Sequence, residues 1–388
     1  MNYFATCPVG LELACQGELI KHGVEKNILS RGGVSFECDD LTISKVFLDL
    51  KIASRILYKI HEFEVRSFED VYKHAHDFPW HRLFTEKNTV KIKTLVSHES
   101  LKENPDWKNS FLFNQKFKDG YVDRFREEKG QRPYVDKQFA DVVLHLYIDK
   151  NRAIVYFDLC GHPLSHRGYR DEGFSAPLRE NLAAGIVNLM GIDFKQEHFI
   201  EGMCGSGTVV IEALYKALQI PATFLHWRNL ELNRNIWNFQ RIPAFKERFA
   251  LKLDKESVVE RIKSSKLNIW AMDIDKKALA LTRENLERCG LENLVTINRQ
   301  DITEFKPKTS NNVLFVNPPY AKRLGEEEEL VETYYELGEN LKKNFTGSRA
   351  YILAGNLPLL KKISLRTSKK IILFNGPIEC RLAEYKLF

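Results

Sequence analysis

From about residue 180 to the C-terminus, apolar strands and amphipathic helices alternate without a break, and this alternation limits the fold more than any other feature. LRENLAAGIVNLMG has helical spacing, FIEGMCGSGT is a strand entering a glycine turn, and VVIEALYKAL is again a helix. NIWAMDID reads as a strand, KKALALTRENLERCG as a helix ending at Gly290, and LVTINRQD as a strand. VLFVNPPY is the next strand and ELVETYYELGENLKK the helix after it. Strands separated by helices cannot pair as hairpins; they form a parallel, doubly wound α/β sheet. Ligands of such sheets bind beyond the carboxyl ends of the strands.

The first 160 residues read differently. LELACQGELIKHG has helical spacing and ends on Gly23, and GGVSFECD is a short strand after a Gly-Gly turn. Residues 1–55 therefore form a small α+β unit. Residues 56–160 continue in that manner: TVKIKTLV alternates as a strand, and FKDGYVDRFREEKGQRP is a helix ended by Gly130 and Pro133. VVLHLYID and RAIVYFDL make a hairpin around Lys150 and Asn151. Residues 161–176, rich in Gly, Pro, Ser and charge, read as a linker to a third unit, 177–388. A chain of 388 residues is expected to hold two or three such domains.

Composition narrows the class. The chain is 44% hydrophobic and 28% charged, the balance of an ordinary globular protein. No apolar run reaches the roughly eighteen residues of a membrane span, and the N-terminus lacks the basic head and apolar core of a signal peptide. The seven cysteines are scattered without a C-x-x-C pair, which points to reduced thiols in a cytoplasm and to neither a disulfide frame nor a metal site. The net charge of +6 lies wholly beyond residue 175, because residues 1–175 hold 26 basic and 26 acidic side chains. Between Leu341 and Ile378 stand eight basic residues and no acid, a one-sign stretch that favours contact with a polyanion.

Four strand ends carry candidate chemistry. Gly202, Gly205 and Gly207, in Glu201-Gly202-Met203-Cys204-Gly205-Ser206-Gly207-Thr208, permit a tight turn and close ligand approach at a helix N-terminus. Asp273, at the tip of the next strand, can accept both hydroxyls of a ribose; the plainer role of helix N-cap suits Asp275 better. Asp301, followed by Ile302, can accept a hydrogen bond from an adenine amine, or is simply a capping acid. Asn317-Pro318-Pro319-Tyr320 ends the last strand with two residues that cannot donate a backbone hydrogen bond, which frees neighbouring carbonyls but also describes a rigid turn. A G-x-x-G-x-G spacing departs from the G-x-G-x-x-G of dinucleotide-binding folds.

This ordered set resembles the class I S-adenosylmethionine-dependent methyltransferases, in the branch whose NPPY motif serves methylation of exocyclic or amide nitrogens. Together with KDGYVDRFREEKGQRPYVD, LYIDKNRAIVYFDLCGHPLSHRGYR, APLRENLAAGI and NPPYAKRLGEEEEL, it is similar to the bacterial guanine-N2 methyltransferases of ribosomal RNA that carry a THUMP domain. The resemblance implies a ferredoxin-like unit, an RNA-binding THUMP domain and a Rossmann-like catalytic domain. It further implies S-adenosylmethionine as cofactor, no metal, no membrane, and a 23S ribosomal RNA partner met as a hairpin or pre-ribosomal intermediate. The implied cofactor contacts are Glu201, Gly202, Cys204, Gly205, Gly207, Thr208, Asp273, Ile274, Asp301, Ile302 and, from the helix APLRENLAAGI, Asn181 with its neighbours Arg179 and Glu180. Asn317, Pro318, Pro319 and Tyr320 would hold the base and orient its amine, so that Cys204 and Cys380 are packing residues and not nucleophiles. Some members carry a second, fused methyltransferase for 7-methylguanine; none of these 388 residues reads as such a half.

Two departures stand out. Glu201-Gly202 occupies the place where the family usually has Asp-Pro, and segment 219–265, with Trp227, Trp237 and Phe239, is either a lid or a covering helix pair. Other substrates share the NPPY chemistry: an adenine N6, another RNA or tRNA guanine N2, or a protein glutamine. A non-catalytic RNA-binding assembly factor is a further alternative. The first half is expected to reach RNA through Lys116, Lys118, Arg124, Arg126 and Lys129.

Overall fold

The computed structural model describes residues 1–170, 178–229, 237–249, 251–319 and 326–388. Two seven-stranded sheets account for its architecture. The first comprises β1 (Asn2–Thr6), β2 (Lys26–Ser30), β3 (Gly33–Glu37), β4 (Arg55–Glu64), β5 (Val90–Val96), β6 (Val142–Asp149) and β7 (Arg152–Asp158), in the order β2-β3-β1-β4-β7-β6-β5. Every pairing is antiparallel except β5–β6. The boundary expected at 55/56 falls within β4, which pairs with β1 on one edge and β7 on the other. The two N-terminal units are therefore one continuous sheet, joined by backbone hydrogen bonds and not by a tether.

Alternation sets which face of that sheet is buried. Phe36, Tyr3, Tyr58 and Phe157 lie in register across β3, β1, β4 and β7, where Tyr3 contacts Phe36 and Tyr58, and Phe157 contacts Phe84. The helix Ser110–Lys129 ends at Gly130 as its sequence predicts, and the helix Phe68–Asp77 starts with a capping box between Ser67 and Asp70.

The second sheet holds β8 (His198–Gly202), β9 (Ile269–Asp273), β10 (Thr296–Arg299), β11 (Asn312–Val316), β12 (Arg349–Ala354), β13 (Lys369–Asn375) and β14 (Ile378–Lys386). Their order is β10-β9-β8-β11-β12-β14-β13; the first five strands run parallel, and β14 is antiparallel to both of its neighbours. The strand order reverses between β8 and β11, the switch point at which doubly wound sheets open a crevice. No helix among the described residues is long and apolar enough to cross a membrane.

Of the expected linker, 161–170 lies among the described residues and is not a solvated tether. Leu164, Arg167 and Tyr169 are buried, and the Arg167 guanidinium spans the two halves. It donates to the Lys51 carbonyl at 2.7 Å and to Glu212 Oε1 at 3.1 Å, so a buried charge is both paired and hydrogen-bonded. The described part of segment 219–265 acts likewise as a strut. Trp237 and Phe239 each set a ring 5.0 Å from Phe47, and Phe245 lies 5.2 Å from Tyr58 and 4.9 Å from Phe157. Trp227 lies in the helix Phe224–Asn229, but its side chain is not among the described ones.

Phe245 is thus the apolar plug between the catalytic-type sheet's insertion and the first sheet. Phe245→Ala should lower the stability of the whole chain by about 3–5 kcal/mol, as truncation of a fully buried aromatic does. Urea unfolding followed by fluorescence would measure it. A loss below about 1 kcal/mol would mean that the segment is a dispensable cover.

Candidate active site at the strand ends

The glycine turn is built from both sides. Gly202, the last residue of β8, pairs with Met272 of β9 and Val316 of β11. A Cβ at position 202 would sit 2.6 Å from Ile302 Cγ1, so only glycine lets the loop after β10 close over the end of β8. Met203 takes a left-handed φ of +60°, and Cys204 N–H then donates to the Met272 carbonyl at 2.9 Å. Gly207, at φ +72°, is the entry to the helix Thr208–Ala217; a Cβ there would meet Thr282 Cγ2 at 2.8 Å.

Asp273 stands at the end of β9 and is tied to this turn. Its Oδ2 accepts Gly205 N–H and its Oδ1 accepts Asp275 N–H, each at 2.9 Å. A carboxylate offers about four lone-pair directions, so Asp273 keeps acceptor capacity on the open side. Asp275 is the N-cap of the helix Lys276–Cys289, accepting Lys277 N–H at 2.8 Å. Ile274, between the two acids, is 60% exposed, an apolar surface standing open at the rim. Asp301 Oδ1 accepts the backbone N–H and the hydroxyl of Thr303, both at 2.8 Å, while Ile302 is buried beneath Gly202.

At the end of β11, Asn317 is half-buried, Pro318 buried and Pro319 exposed. Tyr320 lies outside the described residues. Cys204 is buried, and burial pushes its thiol well above the ordinary cysteine range; it is a packing group. The Glu201 side chain turns inward, with Oε2 accepting Val210 N–H at 2.8 Å in the first turn of the following helix. Thr208 is buried beside it, its hydroxyl 3.1 Å from that of Ser206.

Asn181 is buried and reaches across to the N-terminal unit. Its Nδ2 donates to the Ile52 carbonyl of the N-terminal unit at 3.4 Å, and its Oδ1 is buried with no hydrogen-bond partner among the described residues. Glu180 is held by Arg170, at 3.0 Å to the guanidinium Nε, while Arg179 is exposed.

Sequence reasoning passed over three buried residues that hold the turn. Thr282 donates its hydroxyl to the Gly205 carbonyl and Asn285 its amide to the Ser206 carbonyl, both at 2.9 Å. Asn340 bridges the carbonyls of Ile302 and Phe305 at 2.7 and 2.9 Å. The signal available was a polar pair at i and i+3 on the inner face of an otherwise amphipathic helix.

The expected basic surfaces also change. Lys116, Lys118, Arg124 and Arg126 are paired with Glu69, Asp119, Glu128 and Asp123. The C-terminal stretch is divided by topology. Lys361 and Lys362 lie in a short turn packed against the helix Glu326–Asn344 near Gly338, while Arg349, Lys369 and the Lys342–Lys343 pair lie at the end of the sheet away from the glycine turn. Arg349 is moreover clamped by both Glu197 oxygens at 2.6 and 2.8 Å. Among the described residues, no group of His, Cys, Asp and Glu could hold a metal ion.

A parallel sheet reversing at β8/β11, with a glycine turn, two acids and an Asn-Pro-Pro turn on neighbouring strand ends, defines a class I methyltransferase fold. The chain belongs to the RMKL-like methyltransferase domain family, whose model matches residues 167–384. A THUMP domain model matches residues 65–158, and an RlmL ferredoxin-like domain model residues 2–57. The ribosomal RNA large subunit methyltransferase K/L of Psychromonas ingrahamii is 32% identical over all of this chain and 50% of its own length. That of Syntrophotalea carbinolica is 33% identical, over all of this chain and 54% of its own. The chain thus spans about half the length of the curated relatives it matches. The crystal structure of SMU.472 complexed with SAH superposes with a TM-score of 0.81 at 26% identity, covering all of this chain and 98% of that one.

Glu201 makes the site's packing sensitive to pH. Burial raises its carboxyl from the ordinary 4.5 to about 8, against the pull of the Val210 N–H, and nearby Asp273 adds to the rise. The native state therefore holds this proton more tightly than the unfolded chain does. Its stabilisation is fully present below pH 4.5 and is lost as pH rises through about 8. Glu201→Gln, which mimics the protonated acid, should flatten the stability profile between pH 5 and 8.5 and make the variant the more stable chain at pH 8.5. Urea titrations at both pH values test this; parallel profiles would show that Glu201 is ionised throughout.

Proposed function

We propose that this chain transfers a methyl group from S-adenosylmethionine to the exocyclic N2 of a guanine in 23S ribosomal RNA, met in the cytoplasm as a hairpin or pre-ribosomal intermediate. The observation that carries the reading is the register of β8 against β11. Val316 pairs with Gly202, so the Asn317-Pro318-Pro319 turn and the glycine turn leave adjacent strand ends. The family, the printed names of the two K/L relatives and the SAH complex of SMU.472 support it. SAH is what S-adenosylmethionine becomes once its methyl has left.

The residues present fit that cofactor. A Cβ at Gly205 would meet nothing within 4 Å, so the turn has an open side. Asp273 keeps acceptor capacity for the two ribose hydroxyls, exposed Ile274 offers an apolar face to the adenine, and half-buried Asp301 suits the adenine amine. Glu201, Cys204, Thr208 and Ile302 support this cradle from within, and Asn181 joins it to the N-terminal unit. When bound, the cofactor supplies a methyl carbon on a sulfonium sulfur.

The protein's part is orientation. A guanine amine has its lone pair delocalised into the ring and is a poor nucleophile. The Asn317 side-chain oxygen and the Pro318 carbonyl would accept its two hydrogens and aim the lone pair along the line of transfer. Positioning of this kind needs no covalent nucleophile. Tyr320 would stack on the extruded base, where a base–aromatic contact contributes roughly 1–3 kcal/mol.

Asn317→Ala should therefore slow single-turnover methyl transfer by about 100-fold at saturating cofactor, while calorimetry gives native affinity for S-adenosylmethionine. Transfer at the native rate would reduce the motif to a rigid turn. Mass spectrometry of digested ribosomal RNA identifies the product; N6-methyladenine would overturn the base assignment and keep the mechanism.

A further inference from the structure

The first sheet leaves one face without a helical layer, and that face carries cations that the protein does not neutralise. In β5, Thr94 turns toward the helix Ser110–Lys129, with its hydroxyl 2.8 Å from Asn114 Oδ1. Alternation then sends Lys91, Lys93 and Leu95 to the other face, where Leu95 is 66% exposed. Lys93 lies in register with His145 of β6, which faces Tyr156 of β7. Asp158, two residues along β7, is fully buried on the same face; its Oδ2 binds Arg55 of β4 and lies 3.5 Å from His145 Nε2.

One carboxylate thus serves Arg55 and His145 together. Burial by itself would raise the Asp158 carboxyl, yet His145 and Arg55 hold it below its ordinary range, and its Oδ1 is already taken by the Cys160 and Gly161 N–H groups. Lys93 is left over. It is half-buried, and among the described residues its ammonium has neither a hydrogen bond nor an ion pair within 4 Å. Burial and the repulsion of Arg55 lower its pKa, and the attraction of Asp158 offsets them only in part. Lys91 beside it reaches only the Lys137 carbonyl, which neutralises no charge. Farther along the face, Lys59 and Arg152 both pair with Glu62, and Asp149 and Glu64 lie in register with Arg152. By contrast, the helix Ser110–Lys129 on the opposite face has Lys116, Lys118, Arg124 and Arg126 individually paired.

We propose that this uncovered sheet face is the RNA-capture surface of the N-terminal half, with a backbone phosphodiester seated between Lys91 and Lys93 and adjacent to Arg55 and His145. The inference rests on the RNA reading above and deepens it by moving the contact from the long helix to the sheet. A phosphodiester fits because it supplies a permanent negative charge with two acceptor oxygens, the complement of two unneutralised ammonium groups. Tyr147, half-exposed and in register with Leu95, offers a ring beside the phosphate track.

The test compares the full chain with the Lys91→Glu/Lys93→Glu and Lys116→Glu/Lys118→Glu variants. The probe is a fluorescein-labelled oligouridylate 20-mer, read by anisotropy from 50 to 200 mM salt. The sheet variant should bind at least about tenfold more weakly, and the slope of log affinity against log salt should fall by about 1.4, two released counterions on a single strand. The helix variant should change both quantities much less. Unchanged binding in the sheet variant, or an equal loss in the two variants, overturns the proposal while leaving RNA methylation intact as a reading. Native chain that binds polyglutamate as tightly as RNA would assign the face to an acidic protein and overturn it too. S-adenosylmethionine affinity, measured on each variant, should be native; its loss in the sheet variant would attribute weak RNA binding to misfolding, and then the milder Lys93→Gln variant, expected to lose about 0.7 from the slope, decides.

Discussion

The close approach of Ile302 to Gly202 is the contact on which the C-terminal half depends. A side chain from the loop after β10 occupies the space that a Cβ on β8 would fill, and Gly202, Met272 and Asn298 lie in register across β8, β9 and β10. That alignment lets Asp273, Asp301 and the glycine turn share a rim, and the β8–β11 register brings Asn317 onto it. The turn itself is held by hydrogen bonds from every side: Asp273 accepts its N–H, while Thr282 and Asn285 donate to its carbonyls. A rim so fully bonded is pre-organised, and a pre-organised rim is what orientation chemistry requires.

The two halves are welded. Arg167 carries a buried positive charge whose partners come from the N-terminal unit, from its own segment and from the first helix after the glycine turn. Breaking that set would leave an unpaired charge in the interior, a cost of several kcal/mol. Phe245, Phe239 and Trp237 reinforce it with apolar contact against Tyr58, Phe157 and Phe47. The consequence is geometric: the first sheet and the rim of the second are held by buried contacts and not by a free tether.

Charge illustrates how little a count decides. The first 175 residues are neutral in sum, yet one face of their sheet has cations in excess because carboxylates are concentrated along the helices. Eight basic residues with no intervening acid are not eight free charges, because Arg349 is clamped by Glu197 and Lys342 pairs with Glu339. Coulomb interactions depend on neighbours in space, and screening removes the rest within about 8–10 Å.

The sequence by itself determined the class of the C-terminal half, because hydrophobic period and strand–helix alternation are local properties that a chain cannot hide. It also determined which strand ends carry chemistry: glycines, acids and prolines declare themselves by residue type at Gly202, Asp273, Asp301 and Asn317. Only the tertiary structure decided that two apparent N-terminal units are one sheet, since β4 pairs with residues 49 to 55 positions earlier in β1 and 88 to 101 positions later in β7. The same holds for the burial of Leu164, Arg167 and Tyr169 in the described part of the linker, for Asn181 facing Ile52, and for Thr282, Asn285 and Asn340. A polar side chain's partner is set by long-range packing, and nothing in its own neighbourhood of sequence names the carbonyl it will meet.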